Sequence, residues 1–500
     1  MNQLLQVANP DPTFASYFRH RMLDKKVLVT NLVGQYLILD PTDFRSFVEG
    51  TVDPASQLYS DLKARNFIRA EIDMTDLIAR RTRRQTFLGA GPNLHIMVVT
   101  LRCNETCVYC HASRADMSET DKDMSPETAE KVVDMILQTT SPAVTIEFQG
   151  GEPLVNFPVV KHIVEYALKK NEEIGKALEF TMVSNLAMMD EEKLAFILEH
   201  KIQVCTSIDG PVELHNKQRI LPGGGAFEKT VEWIEKINKA YIDMGLDSDV
   251  YHVEALLTST KNTLTRPRDV VDTFIGLGCK ALFLRPVDPF GFASKTGDRI
   301  SYGHEDFLEY YCQAVDYMID LNRKGTEILE RYAAIFLTKI LTGDEPNFLD
   351  IRSPCGAGIG QMTYDYEGRI FTCDEGRMVH QMGDDFFQIG HVRHSTYQET
   401  MNHDTVRAIS LASNLEANPG CVNCAYNPYC GVCPVVNYAT QGSLNGQVKT
   451  SRWCGIHKGI QDYLFKKLEA DDGELMDIFD KWVRVRDRDH YIHEDDAPEA

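Results

Sequence analysis

The 500-residue sequence predicts an α/β chain built around a partial (β/α)6 TIM-type barrel, with a small domain before it and a cysteine-rich one after it. Three observations carry this prediction. Six strand-like runs alternate with amphipathic helical patterns between about residues 93 and 345, as a parallel sheet with crossover helices requires. The chemistry-bearing residues follow the ends of those runs, where βα barrels place functional loops. Ten of the thirteen cysteines fall into two groups, three at 103–110 and seven between 355 and 454.

In chain order, "KVLVTNLVGQYLILD" reads as two short strands around Gly34. "PTDFRSFVEG" and "LYSDLKARNFI" read as short helices, the first opened by Pro41. This N-terminal domain, residues 1–88, runs into a basic linker, "ARRTRRQTFLGAGPN". The barrel, 89–345, has as its strands "HIMVVTLRC", "AVTIEFQGG", "LEFTMVSN", "IQVCTSIDG", "VYHVEALLT" and "KALFLRPV". "SPETAEKVVDMILQTT" illustrates the helices between them, with Ser125 as N-cap and Pro126 in the first helical position. Residues 346–460 turn to Gly-, Asn- and Pro-rich loops with little periodicity, so little apolar burial is expected there and bound metal is expected to supply their fold. The last segment, 461–500, reads as a helix and an acidic, frayed tail carrying His490 and His493.

Composition limits the function. At 43% hydrophobic and 25% charged residues the chain is ordinary for a globular protein, and its formal charge of −21 argues against nucleic acid as a partner. No apolar run is long enough to span a membrane, and "MNQLLQVANPDPTFASYF" lacks the pattern of a secretory signal. A cytoplasmic location is therefore expected, in which thiols stay reduced and clustered cysteines point to metal or catalysis. Cys205, Cys279 and Cys312 lie in apolar patterns and are read as buried, inert thiols.

"LRCNETCVYCHASR" spaces Cys103, Cys107 and Cys110 as C-x3-C-x2-C. Three thiolates do not close a tetrahedral site. A [4Fe–4S] cube held by them keeps one iron free, whereas structural zinc would need a remote fourth ligand. With Tyr109 before the third cysteine, the stretch resembles the signature of radical S-adenosylmethionine (SAM) enzymes. That resemblance implies that the free iron chelates SAM and that the reduced cluster cleaves it to a 5′-deoxyadenosyl radical, which abstracts a substrate hydrogen.

"QGGEP" is similar to the family's Gly-Gly-Glu motif. Gly150 and Gly151 would admit the methionine part of SAM, and Glu152 would accept from its ammonium group. Ser184 and Asn185 end the third strand, where the family contacts the ribose. "SIDGPVELHNKQR" resembles a run of the peptide-modifying branch, in which Ser207 and Arg219 would hold the SAM carboxylate. Asp209 belongs to the same run, and Asp-Gly-Pro can also be simply a turn.

The pattern Cys355-x12-Gly368-x4-Cys373, then Cys421-x2-Cys424-x5-Cys430-x2-Cys433 and Cys454, resembles the SPASM domain. The resemblance implies two auxiliary [4Fe–4S] clusters, three clusters in all. Cys421, Cys424, Cys430 and Cys454 would hold one of them, and Cys355, Cys373 and Cys433 the other. Two departures stand out: Cys430-x2-Cys433 is one residue short of the usual spacing, and Gln361 occupies the position of an eighth cysteine in some members. The second cluster would then have a non-cysteine ligand or an open iron. Asp374, after Cys373, matches an aspartate that takes a substrate proton in sulfatase-maturing relatives; it can equally be a surface turn residue.

"NLHIMVVTLRCNETCVYCHASR" and "FLRPVDPFGFA" look most like maturases of the His-Xaa-Ser peptide system. The N-terminal domain resembles the small winged precursor-recognition domain fused to such enzymes, where a leader peptide would add as a strand; the alternative is a domain that only packs on the barrel. The resemblance implies cross-linking or a related modification of a ribosomally made precursor peptide, with an external one-electron reductant. A sulfatase-type maturase forming formylglycine is the first alternative. A non-enzymatic iron–sulfur carrier or zinc scaffold is the second.

Overall fold

The structure is a computed structural model describing residues 10–248, 251–470 and 472–484. Its centre is the expected run of parallel strands: Leu94–Thr100, Ala143–Gly150, Ala177–Val183, Gln203–Ser207, Glu254–Ser259 and Leu284–Pro286. They lie side by side in chain order, each parallel to the next. The helices pack over this sheet. Pro126–Ile136 is opened by the Ser125 hydroxyl, which accepts from Thr128 N. The sixth run divides in two: Ala281–Leu282 pairs with Leu329–Glu330, and Leu284–Pro286 closes the edge of the sheet.

The cysteine-rich segment is more regular than its composition suggests. Gln361–Tyr364 joins the open side of the first barrel strand in parallel, and Arg369–Phe371 and Gln388–His391 follow antiparallel, giving nine strands in one sheet. Met362, Tyr364, Ile370, Phe371 and Ile389 are buried, so the expectation of little apolar burial here fails. Strands of three or four residues are too short to display a period of two, and a strand covered on both faces does not alternate.

The N-terminal residues form three antiparallel strands, not two: Arg19–Leu23, Lys26–Thr30 and Tyr36–Leu39, with Gly34 at φ +79° in the second turn. Charge hid the first strand, because "RHRML" does not read as apolar. Arg19 is nevertheless fully buried, its guanidinium donating to Val422 O and pairing with Glu416. Helices Pro41–Glu49 and Gln57–Ala64 cover the sheet around Phe44, Phe47 and Leu62.

The basic "linker" is another correction, since its arginines lie in the helix Met74–Gln85 and the 3-10 turn Thr86–Gly89 follows. Asp73 caps that helix, Arg80 pairs with Asp76, and Arg83 with Asp344. This module docks on the cysteine-rich segment as well: Thr30 donates to Ala425 O, Tyr429 to Gly34 O, and the buried Arg84 to Pro428 O and Lys339 O.

Helices Arg452–Glu469 and Gly473–Val483 end the described chain; His490 and His493 lie outside the described residues. Among the described residues no helix is long and apolar enough to cross a membrane.

Candidate functional site

The loop after the first barrel strand is fixed at several points. Arg102 pairs with Asp123, and Cys103 N donates to Ala115 O. Thr106–Cys107 pairs antiparallel with Arg219–Ile220, and Val108 N donates to Gln218 O. The three-cysteine loop is thereby stitched to the loop that follows the fourth strand. Between them opens a cavity of about 220 Å³, lined by Cys103, Cys107, Cys110, Tyr109, Gly151, Glu152, Ser184, Asn185, Ser207 and Arg219. These expected residues come from four separate strand ends.

Burial pushes the Cys103 and Cys107 thiols well up, and the neighbouring cysteines add to this, while the Arg219 guanidinium acts the other way on Cys107. Thiols in such a place ionise when a metal takes the charge. Among the described residues no three His, Cys, Asp or Glu side chains converge as they would around a single metal ion. Three thiols from one loop facing one cavity, with a guanidinium beside them, fit a cluster and an anionic ligand.

Several motif residues hold one another. A Cβ on Gly150 would run into Thr100 O, and one on Gly151 into the carbonyls of Leu101 and Arg102. These glycines let the second strand cross against the first. Gly151 N and Glu152 N donate to Thr100 O and Arg102 O at 2.8 Å. Glu152 is fully buried and accepts from Ser184 Oγ (2.8 Å), Asn185 N (2.7 Å) and Leu154 N (3.0 Å). Burial pushes its carboxyl up to about 7 despite those donors. Asn185 Nδ2 donates to Asn104 Oδ1.

Asp209 lies outside the cavity lining and is no solvated turn: it is completely buried, accepting from Tyr109 OH (2.6 Å) and Arg219 Nε (3.2 Å). Arg219 also lies over the Tyr109 ring and reaches Cys107 Sγ at 3.8 Å. Asp209 thus fixes the orientation of the guanidinium. Sequence reasoning missed Glu105, a buried residue between two cysteines whose Oε1 lines the same cavity without a hydrogen-bond partner among the described residues. A carboxylate inside the cysteine loop was the available signal.

A second cavity of about 540 Å³ occupies the barrel interior, reached by Glu147, Gln149, Cys205, Arg285, Asp350 and Glu375. Asp374 borders both cavities, and its buried carboxylate pairs with Arg377 at 2.7 Å. Burial, with Asp350 next in importance, pushes Glu375 up to about 8. Cys279 is buried as expected, while Cys205 and Cys312 are half-buried, so both are less enclosed than expected.

The seven later cysteines separate in space. Cys421, Cys424, Cys430 and Cys454 line a cavity of about 740 Å³ near Arg21 and His457, which Cys433 also borders, and the four are close enough to raise one another's pKa. Cys355, Cys373 and Cys433 share a different apolar cluster and act on one another in the same way. Gln361, at the eighth-cysteine position, sits on a strand beside Leu94 and faces the barrel cavity.

A parallel partial barrel with a three-thiol loop after its first strand is the frame of a radical SAM protein. Residues 97–252 match the Radical SAM superfamily. That match implies a [4Fe–4S] cluster and SAM.

The cysteine-type anaerobic sulfatase-maturating enzyme of Clostridium perfringens (strain 13) is 23% identical over 380 residues, 73% of this chain and 94% of that protein. The radical SAM cyclopropyl synthase TigE of Paramaledivibacter caminithermalis is 23% identical over 237 residues, 44% of this chain and 47% of that protein. Among solved structures, native anSMEcpe with bound AdoMet superposes with a TM-score of 0.63 at 20% identity, covering 76% of this chain and 98% of that one. Streptococcus suis SuiB bound to its precursor peptide SuiA gives 0.51 at 13%, covering 87% and 98%. These superpositions share the fold.

Proposed function

We propose that this chain is a radical SAM enzyme that modifies a ribosomally made precursor peptide, with Cys103, Cys107 and Cys110 holding the SAM-binding cluster. The observation that carries the reading is the single cavity in which those thiols meet Arg219, Glu152 and Asn185. When bound and reduced, the cluster supplies the electron that splits SAM into methionine and the 5′-deoxyadenosyl radical that takes hydrogen from the peptide. Arg219, fixed by Asp209 and Tyr109, pairs with the SAM carboxylate. Glu152 and Ser184 tie the second and third strand ends together, which leaves Asn185 and the loop backbone to meet the ligand. The two groups of later cysteines hold two auxiliary clusters, and the barrel cavity receives the peptide side chain. Asp374, at the boundary of the two cavities, is the candidate acceptor of a substrate proton.

The relatives support a peptide as substrate: SuiB was solved with its precursor peptide, and an anSMEcpe structure holds a Cp18Cys peptide. The N-terminal three-stranded sheet leaves two edge strands, Arg19–Leu23 and Tyr36–Leu39, on which a leader could add a strand. Within this class we favour the His-Xaa-Ser type of maturase. A sulfatase-type maturase is the second reading, favoured by the 73% coverage of the clostridial enzyme. Incubating reconstituted enzyme, SAM and reductant with a His-Xaa-Ser precursor and with a sulfatase-derived peptide, then weighing both, separates the two. A change in the precursor mass alone supports the proposal, and formylglycine in the sulfatase peptide alone overturns it.

A further inference from the structure

The cluster assigned above to Cys355, Cys373 and Cys433 has three thiols for four irons, and Gln361 stands where a fourth cysteine would come. We infer that Asp350 is the fourth ligand of that cluster, making it a three-cysteine, one-aspartate centre. The inference rests on the proposed auxiliary clusters and names the group that completes one of them.

The placement of Asp350 supports this. It belongs to the short 3-10 turn Leu349–Ile351, five residues before Cys355. Its side chain lines one cavity with Cys433, and its charge bears on the Cys433 and Cys355 thiols. Its backbone is pinned. A Cβ on Gly431 would press into Asp350 O and the Ile351 backbone, so the turn lies flat on the loop joining Cys430 to Cys433. Lys339 Nζ donates to Ile351 O, and the next residue, Arg352, donates to Pro346 O, Asn347 Oδ1 and Glu345 O. A carboxylate delivered by so fixed a turn meets a cluster with little further loss of freedom.

The other carboxylates nearby fit less well. Asp288 leans towards Arg285, Asp374 is paired with Arg377, and Glu375 lines the barrel cavity but not the one that Asp350 shares with Cys433. Among the described residues, Asp350 alone borders both the cavity lined by Cys430 and Cys433 and the barrel cavity. An oxygen ligand is harder than the three sulfurs around it. That corner would therefore be the one able to exchange for a substrate group arriving through the barrel.

The test uses full-length protein reconstituted anaerobically with iron and sulfide, carrying Cys103→Ala, Cys107→Ala and Cys110→Ala so that no second open iron is present. Mössbauer spectra should show one iron site with oxygen coordination. Asp350→Cys should convert that site to an all-sulfur one with no loss of iron. Asp350→Ala should lose that iron on mild oxidation and yield the EPR signal of a [3Fe–4S] centre. Glu375→Ala should leave the spectrum as it was.

Identical spectra with and without the Asp350 substitutions overturn the inference, as does disappearance of the oxygen-ligated iron in Glu375→Ala. Should Asp350→Ala fail to fold by circular dichroism, Asp350→Cys carries the test. If adding Cys355→Ala to the background removes no iron, the auxiliary cluster itself is wrong, an outcome distinct from the wrong fourth ligand.

Discussion

Replacing Asp209 by Asn keeps the shape of the side chain and its bond from Tyr109 but removes the charge that faces Arg219. The two groups are buried, with side-chain exposures of 0% and 10%, so water does little to screen the loss. Removing one partner of a buried ion pair costs about 3–5 kcal/mol, because the remaining charge stays desolvated. The Cys107 sulfur, 3.8 Å from Arg219, gives the guanidinium some residual company, which favours the lower figure, about 3 kcal/mol. At roughly 2–4 °C per kcal/mol for a domain of barrel size, the melting temperature should fall by roughly 6–12 °C.

Differential scanning fluorimetry under anaerobic conditions measures this. The double variant Asp209→Asn/Arg219→Met should recover most of the loss, since it leaves no unpaired charge. A loss below about 1 kcal/mol in the single variant, or a double variant as unstable as the two singles summed, would refute the reasoning.

Glu330 is fully buried, accepts from Tyr311 OH, Ala333 N and Leu284 N, and is pushed by burial from its ordinary 4.5 up to about 7. Its contribution to stability is whole below pH 4.5 and lost as pH rises through 7. The advantage of wild type over Glu330→Gln should therefore shrink by about 3 kcal/mol across that window, and denaturant titrations at several pH values read it. Gly151→Ala drives a Cβ into two carbonyl oxygens and should cost about 3 kcal/mol or abolish soluble expression, checked by yield and melting temperature. Arg84→Met strands the buried carbonyls of Pro428 and Lys339, a loss of about 3 kcal/mol; limited proteolysis should then release the N-terminal module before the barrel is cut.

How much of this could be read from the sequence depends on where the chemistry sits. The barrel strands were legible because each is long enough to show its apolar run and ends in a distinctive loop, as "QGGEP" and "SIDGP" do. The strands of the cysteine-rich segment were not, being three or four residues long, with the first of them buried throughout. Charge misled twice, at the buried Arg19 strand and at the arginine-rich helix Met74–Gln85, whose guanidiniums find carbonyls and carboxylates that only the folded chain supplies. Within the site, motif membership named the right residues but not their partners. Nothing in "GGE" tells that Glu152 is engaged by Ser184 and Asn185, and nothing in "SIDG" tells that Asp209 braces Tyr109 and Arg219. Glu105 went unread because no spacing rule marks it.

The central claim is that the three-thiol loop carries a cluster that cleaves SAM. Reconstituted wild-type protein given SAM and a strong one-electron reductant should release 5′-deoxyadenosine, while Cys103→Ala, still folded by circular dichroism, should release none. Equal release by the two proteins, or none from a wild type that has taken up its iron and sulfide, would contradict the account.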